Sequence, residues 1–228
     1  MNGKKYAENI SQLALANVDF DMQNRHHISY NFMMIHANTQ SVGDYNGKNS
    51  IFSDDYENLG FTRRQQANDN MLIVNQLMTN WGLTKSLSLD AGASYNMVKG
   101  YEPDRRINNL TKAENGYTLL RGNSQQRYFS TLDENDLNVK AGLVYRLKDD
   151  VEEISNVRFG YAGRFVDDNF KATEYNLTVG HVSTIPSLDD FSLDDYYNQE
   201  NFSSDWFKIQ KNIDEYTVKK NIHSAYAE

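Results

Sequence analysis

Three features of the sequence predict an all-β fold: an antiparallel up-and-down transmembrane β-barrel segment of about seven strands, with long outer loops and short periplasmic turns. Apolar residues fall on every second position over several long stretches, which marks strands with a different solvent on each face. The connections between those stretches alternate short and long. The composition joins 15 Tyr, 11 Phe and 27 Asn to a mean hydropathy of -0.72, so apolar and polar positions are interleaved rather than gathered into runs.

Other classes are excluded by the same composition. A helical span needs about 18 consecutive apolar residues, and stretches such as Phe32 to Ile35 and Met71 to Val74 are far shorter. A net charge of -8 and a pI near 5.1 oppose general nucleic-acid binding. The chain has no cysteine, so disulfide frameworks and thiolate metal sites are absent. Two prolines and 12% aromatic residues argue against disorder. The 228 residues are expected to form a partial barrel domain over 1–228, without a plug and without the remaining strands. Lys4 and Lys5 precede no apolar run of signal-peptide length, and Ala225 to Glu228 stops inside a strand.

The first strand sets Ala14, Ala16, Val18, Phe20 and Met22 against Leu15, Asn17, Asp19 and Asp21. A turn at Asn24-Arg25-His26 leads to Ile28, Tyr30, Phe32 and Met34, and the pair reads as a hairpin. A polar loop is expected over 37–67. The third strand, about 68–81, has mixed faces and no evident inward side. After 82–86 comes the clearest alternation: Leu87, Leu89, Ala91, Ala93, Tyr95 and Met97 on one side, Ser88, Asp90, Gly92, Ser94 and Asn96 on the other. A second long loop is expected over 98–126. The fifth strand, 127–147, places Leu137, Val139, Ala141, Leu143 and Tyr145 opposite Asp136, Asn138 and Lys140. A turn at 148–156 joins it to Val157, Phe159, Tyr161 and Phe165, which oppose Arg158 and Arg164. That strand continues to about Val179. A third loop ends near Asp214, and a seventh strand begins at Tyr216.

Soluble domains rarely hold several structureless loops longer than about 15 residues, whereas outer-membrane barrels pair long outer loops with short turns. In hydrocarbon every backbone polar group needs a partner, so a spanning sheet must close. Its outer face must be apolar, and its lining can be polar. The expected lumen-facing residues are therefore Asp90, Asn96, Asp136, Asn138, Lys140, Arg158 and Arg164. Tyr30, Phe32, Tyr95, Tyr145 and Tyr161 are expected in interfacial girdles. Pro103 and Pro186 are expected in loops, where no ladder bond is lost.

A second polar group, Arg63, Arg64, Glu102, Asp104, Arg105 and Arg106, is expected just above the third and fourth strands. Opposite charges meet within it, which favours a brace between loops over a solute contact. Nine aromatics are expected in long loops: Tyr45, Phe52, Tyr56, Tyr117, Tyr196, Tyr197, Phe202, Trp206 and Phe207. They could stack on a solute or pack the loops. The acidic run Ser187 to Tyr196 lacks the Gly and terminal Glu of a calcium loop. His26 and His27 are sequence neighbours pointing apart, so no shared metal is expected. No phosphate loop, Gly-x-Ser-x-Gly elbow or His-Glu-x-x-His occurs. The expectation is a chain without enzyme activity, cofactor or metal.

Several strings resemble those of TonB-dependent outer-membrane receptors of Bacteroides-like bacteria. They are Phe61-Thr62-Arg63-Arg64-Gln65-Gln66, Asn75-Gln76-Leu77, Ser94-Tyr95-Asn96, Tyr101-Glu102-Pro103-Asp104-Arg105-Arg106, Gln126-Arg127-Tyr128-Phe129 and Phe159-Gly160-Tyr161. The resemblance is to the middle of such a barrel. It implies a plugged barrel of about 22 strands in the bacterial outer membrane, with lipid around it. It implies uptake of a small, scarce, bulky solute (an iron chelate, cobalamin or a glycan) driven by the TonB system through a plug region. No plug or TonB-contacting box is recognisable here. A secreted β-sandwich that binds glycans is the alternative.

Overall fold

The computed structural model describes residues 2–23, 25–48, 59–119, 122–150, 153–179, 188, 198–203 and 207–228. Seven long strands run along the chain: β1 Asn2–Met22, β2 His26–Lys48, β3 Leu59–Gly82, β4 Leu87–Ala113, β6 Gly122–Asp150, β7 Glu153–Val179 and β8 Phe207–Ala227. A short β5, Gly116–Leu119, pairs with the upper end of β4, and one helical turn, α1, covers Gln199–Ser203. Each long strand pairs antiparallel with the next, in the order β1-β2-β3-β4-β6-β7-β8. The result is an all-β, up-and-down, barrel-like segment. It is one open sheet with β1 and β8 as its edges. These two run in the same direction, so they cannot pair antiparallel with each other.

The short connections lie at one end. Arg25 donates its backbone N–H to Met22 at 3.1 Å, and Gln23 supplies the left-handed residue of that turn with φ 52°. At Leu83 to Ser86, the Thr84 hydroxyl accepts from the Leu87 N–H at 3.0 Å. His26 belongs to β2 rather than to the turn, and of the expected turn over 148–156, residues 148–150 belong to β6 and 153–156 to β7.

The long loops are the main correction. Of the segment 37–67, residues up to Lys48 extend β2 and those from Leu59 begin β3. Of 98–126, nearly all is strand, in β4, β5 and β6, and β8 begins at Phe207 instead of Tyr216. These upper halves carry Asn, Gln, Ser and charges on both faces, so period-two alternation vanishes while the ladder of backbone bonds continues. Tyr45, Tyr117 and Phe207 accordingly lie in strands and Phe202 in α1. Phe52, Tyr56, Tyr196, Tyr197, Trp206, Pro186 and most of the acidic run fall outside the described residues. Pro103 is also within a strand. It sits at the register shift of β4 between Glu102 and Arg105, a bulge that tolerates a residue without an N–H.

The register assigns every side chain to a face, because directly paired residues share one. Leu89 lies beside Trp81 and Leu143, and Leu143 beside Phe159. Tyr30, Phe32, Tyr95, Tyr145 and Tyr161 share this apolar face. From Leu87 to Met97 the strand rises about 33 Å at ~3.3 Å per residue. This stretch forms an apolar band. A collar of ion pairs marks its upper limit: His36 Nε2 with Asp69 at 2.5 Å, Lys99 with Asp133 at 3.7 Å and Lys219 with Asp167 at 3.3 Å. His26 stacks on Trp81 at 4.2 Å near the lower limit.

High on the same face lies a buried cluster of Phe61, Leu110, Leu119, Leu177, Val179 and Phe207. Tyr117 and Leu188 pack against it. Above the collar the apolar residues of this face are covered by chain segments. The bulge at Pro103 brings Leu110 onto this side. Beyond it, the buried Gln125 amide bonds the Asn109 backbone, accepting from its N–H at 3.0 Å and donating to its carbonyl at 2.6 Å.

Candidate solute-facing surface

The opposite face is concave and encloses a hollow of about 360 Å³ against β3, β4, β6, β7 and β8. All seven expected lumen residues share this face. Asp136 pairs with Asn96 in register, Asn138 with Arg164 and Ser94, and Lys140 with Gly92. Asp90 and Arg158 lie lower. Third-strand residues Leu72, Val74, Gln76, Met78 and Asn80 point the same way, which resolves its mixed pattern: three apolar residues turn to this face there.

Asp136 is the anchor. It is 8% exposed and takes three contacts from Arg164, Nε at 3.2 and 3.1 Å and Nη2 at 2.9 Å, plus the Asn138 amide at 3.1 Å. Charge-assisted bidentate pairing of this kind holds a guanidinium in one orientation. The Arg158 guanidinium lies 3.9 Å from Asp90 and 3.8 Å from Glu228, and the Asn80 amide donates to Asp90. The Lys140 stem crosses Gly92, where a Cβ would come within 3.1 Å of its Cε. The Asn96 side-chain oxygen is buried without a partner.

One register row continues the polar lining across the sheet: Asn17, Asn31, Gln76, Ser94, Asn138 and Arg164. Asn17 donates to Asn31 at 2.7 Å and Asn31 to Gln76 at 3.4 Å. The amides of β1–β3 were not singled out in the sequence because Asn is common throughout the chain. Their shared height, which only the register supplies, is what makes them a row. On β4 to β8 the charges of this face offset one another. Asp90, Glu134, Asp136 and Asp168 stand beside Lys140, Arg158, Arg164 and Lys220.

The second polar group is not one cluster. It lies within β3 and β4, on both faces. Arg63 forms a two-pronged pair with Asp44, both bonds 2.9 Å, and also donates to the Leu188 carbonyl at 3.2 Å. Asp104 sits between Arg106 at 2.6 Å and Arg127 at 2.8 Å. Burial pushes the Asp104 carboxyl up, but hydrogen bonds from Arg127 and Arg106 outweigh it and hold the group below the ordinary carboxylate range. These three pairs stand on the apolar-band face, above the collar. On the concave face Arg105 approaches Glu102 at 3.7 Å and lies over the Tyr128 ring at 4.1 Å, and Arg64 is exposed there. The pairing braces neighbouring strands.

His26 and His27 do point apart. His26 meets Trp81, whereas His27 Nδ1 lies 2.8 Å from Asp21 on the concave side. Among the described residues no three His, Asp or Glu side chains are grouped so as to hold a metal ion.

No protein-family model matches this chain, and no curated protein does. Among solved structures it is similar to the crystal structure of Acinetobacter baumannii CarO, at 12% identity over 90% of this chain and 94% of that one, with a TM-score of 0.18. A likeness that slight carries no weight for fold or function.

Proposed function

We propose that the chain is part of an outer-membrane β-barrel receptor of the TonB-dependent kind, taking up a scarce, bulky solute past its concave, hydrogen-bonding face. The observation that supports this is the contrast between the faces of the sheet: one carries an apolar band of about 33 Å of strand, about 25 Å tall at the tilt usual for outer-membrane barrels, and the other carries amides and fixed charges beside the apolar Leu72, Val74 and Met78 of β3. The described residues form one sheet, which gives no support to a two-sheet sandwich. The resemblance of the strand-head motifs supports the choice of receptor class. The lumen residues Asp90, Asn96, Asp136, Asn138, Lys140, Arg158 and Arg164 would meet the solute or the plug, and the energy would come through the TonB system.

The test has two parts. Cells carrying the complete protein with Leu89→Arg should lose it from the outer membrane, while Asp90→Arg should be retained there. Solute uptake by the retained protein should stop when the inner-membrane potential is dissipated. Recovery of the protein in the soluble fraction, or uptake indifferent to that potential, would reject the proposal.

A further inference from the structure

The edge strand β8 breaks the pattern of the other strands. In its register with β7, Gly163 pairs with His223, Phe165 with Asn221 and Asp167 with Lys219. Polar side chains therefore continue the apolar band, and the Tyr161 hydroxyl and Phe165 ring contact His223 at 2.7 Å and 5.4 Å. From Tyr216 onward the larger apolar residues of β8, Tyr216, Val218, Ile222 and Tyr226, lie on the concave face instead, whereas Phe207, Ile209 and Ile213 higher up keep to the band side. There Tyr216 stacks on Phe170 at 5.0 Å. The Tyr226 ring fills a saddle made by Gly160 and Gly142, where added Cβ atoms would come within 2.3 and 2.8 Å of it.

A slip of one residue exchanges the two faces of a strand. Pairing each β7 residue from Phe159 to Phe170 with the next-higher β8 residue would set Tyr226 beside Tyr161, Ile222 beside Phe165 and Lys220 beside Asp167. All of these would then lie on the apolar-band face, with the lysine at the collar. On the concave face Lys219 would come opposite Asp168, which now pairs with Val218 and has a buried carboxylate oxygen without a partner. Asp168 also stands directly opposite Glu134, an unfavourable juxtaposition of like charges that a facing lysine relieves. Phe207 keeps its place in the buried cluster, so the slip is confined to the strand below it and leaves one extra residue of β8 as a bulge near Glu215.

We propose that β8 is a two-register strand. The register described here suits water, with aromatics turned inward onto the glycine saddle. The register one residue along is taken when the band meets lipid, so the slip accompanies insertion. This rests on the membrane reading above.

Cysteine pairs test it in a chain that has no cysteine of its own. Ala162 pairs with Ser224 in the first register and with Ala225 in the second. Directly opposed antiparallel residues lie within disulfide reach, and the neighbouring residue points to the other face. The full chain carrying Ala162→Cys and Ser224→Cys should cross-link in aqueous buffer. The chain carrying Ala162→Cys and Ala225→Cys should cross-link after reconstitution into phosphatidylcholine vesicles, at least tenfold more than in buffer. Gly160→Ala, which obstructs the saddle, should lower the first cross-link and leave vesicle integration unchanged. A chain that floats with vesicles yet links only 162 to 224 overturns the slip and leaves the membrane reading standing. A chain that never floats with vesicles overturns both.

Discussion

Arginine placed at neighbouring positions of β4 separates the two faces most sharply. Ala93 lies in the middle of the apolar band, paired with Leu77 on β3 and Val139 on β6. Ser94 is the next residue and lines the concave hollow. An arginine facing lipid near the midplane costs about 2–4 kcal/mol. At 1.36 kcal/mol per decade, Ala93→Arg should therefore reduce the folded-to-unfolded ratio by roughly 30- to 1000-fold. Ser94→Arg places the same side chain among Gln76, Asn138 and Lys140, where it meets water and the repulsion of one lysine. An exposed interaction of that kind is worth about 1 kcal/mol or less. The assay is urea unfolding of the complete protein reconstituted in vesicles, followed by tyrosine and tryptophan fluorescence. Equal losses from the two variants, or a larger loss from Ser94→Arg, would refute the assignment of faces.

Three further outcomes follow from the upper half of the sheet. Leu110 is fully buried in the cluster above the collar, so Leu110→Ala should destabilise by about 2–5 kcal/mol without preventing vesicle integration, measured by denaturation and flotation. Arg63→Ala removes both bonds to Asp44 and the bond to the Leu188 carbonyl. Proteolytic cleavage within 180–206 should rise several-fold, and unchanged cleavage would remove Arg63 from any role in holding that connection. Asp104 has its folded pKa depressed, so its stabilising contribution is present above the unfolded carboxylate value of about 3.9 and is lost as pH falls through the lower folded value. Hydrogen exchange of β4 and β6 near Asp104 should accelerate on acidification below about pH 4, and Asp104→Asn should abolish that dependence.

What was legible beforehand is explained by the contrast between faces. Where one face is apolar and the other polar, as at Leu87 to Met97 or Leu137 to Tyr145, the residue pattern follows the pleat and the strands can be read directly. The concave placement of Asp136 and Arg164 follows from the same alternation. Where both faces carry polar residues, as over Ala37–Lys48 and Val98–Ala113, the pleat leaves little trace in hydropathy, and tall strand extensions resemble loops. Pro103 strengthened that impression, since a bulge and a loop tolerate proline equally. The pairing of Arg63 with Asp44, and of Asp104 with Arg127, depended on registers that spacing alone does not supply. The face reversal at β8 was hidden for another reason: its alternation is clear, but only its pairing with β7 shows which side each set occupies.

The division of the sheet between two solvents is tested most directly by single spin labels along β4 from 87 to 97 in vesicles. Collision with oxygen, which partitions into lipid, is compared with collision with a water-soluble nickel chelate. Labels at 87, 89, 91, 93, 95 and 97 should favour oxygen and those at 88, 90, 92, 94 and 96 the chelate, in strict alternation. A profile in which neighbouring positions see the same medium would contradict the membrane-spanning arrangement.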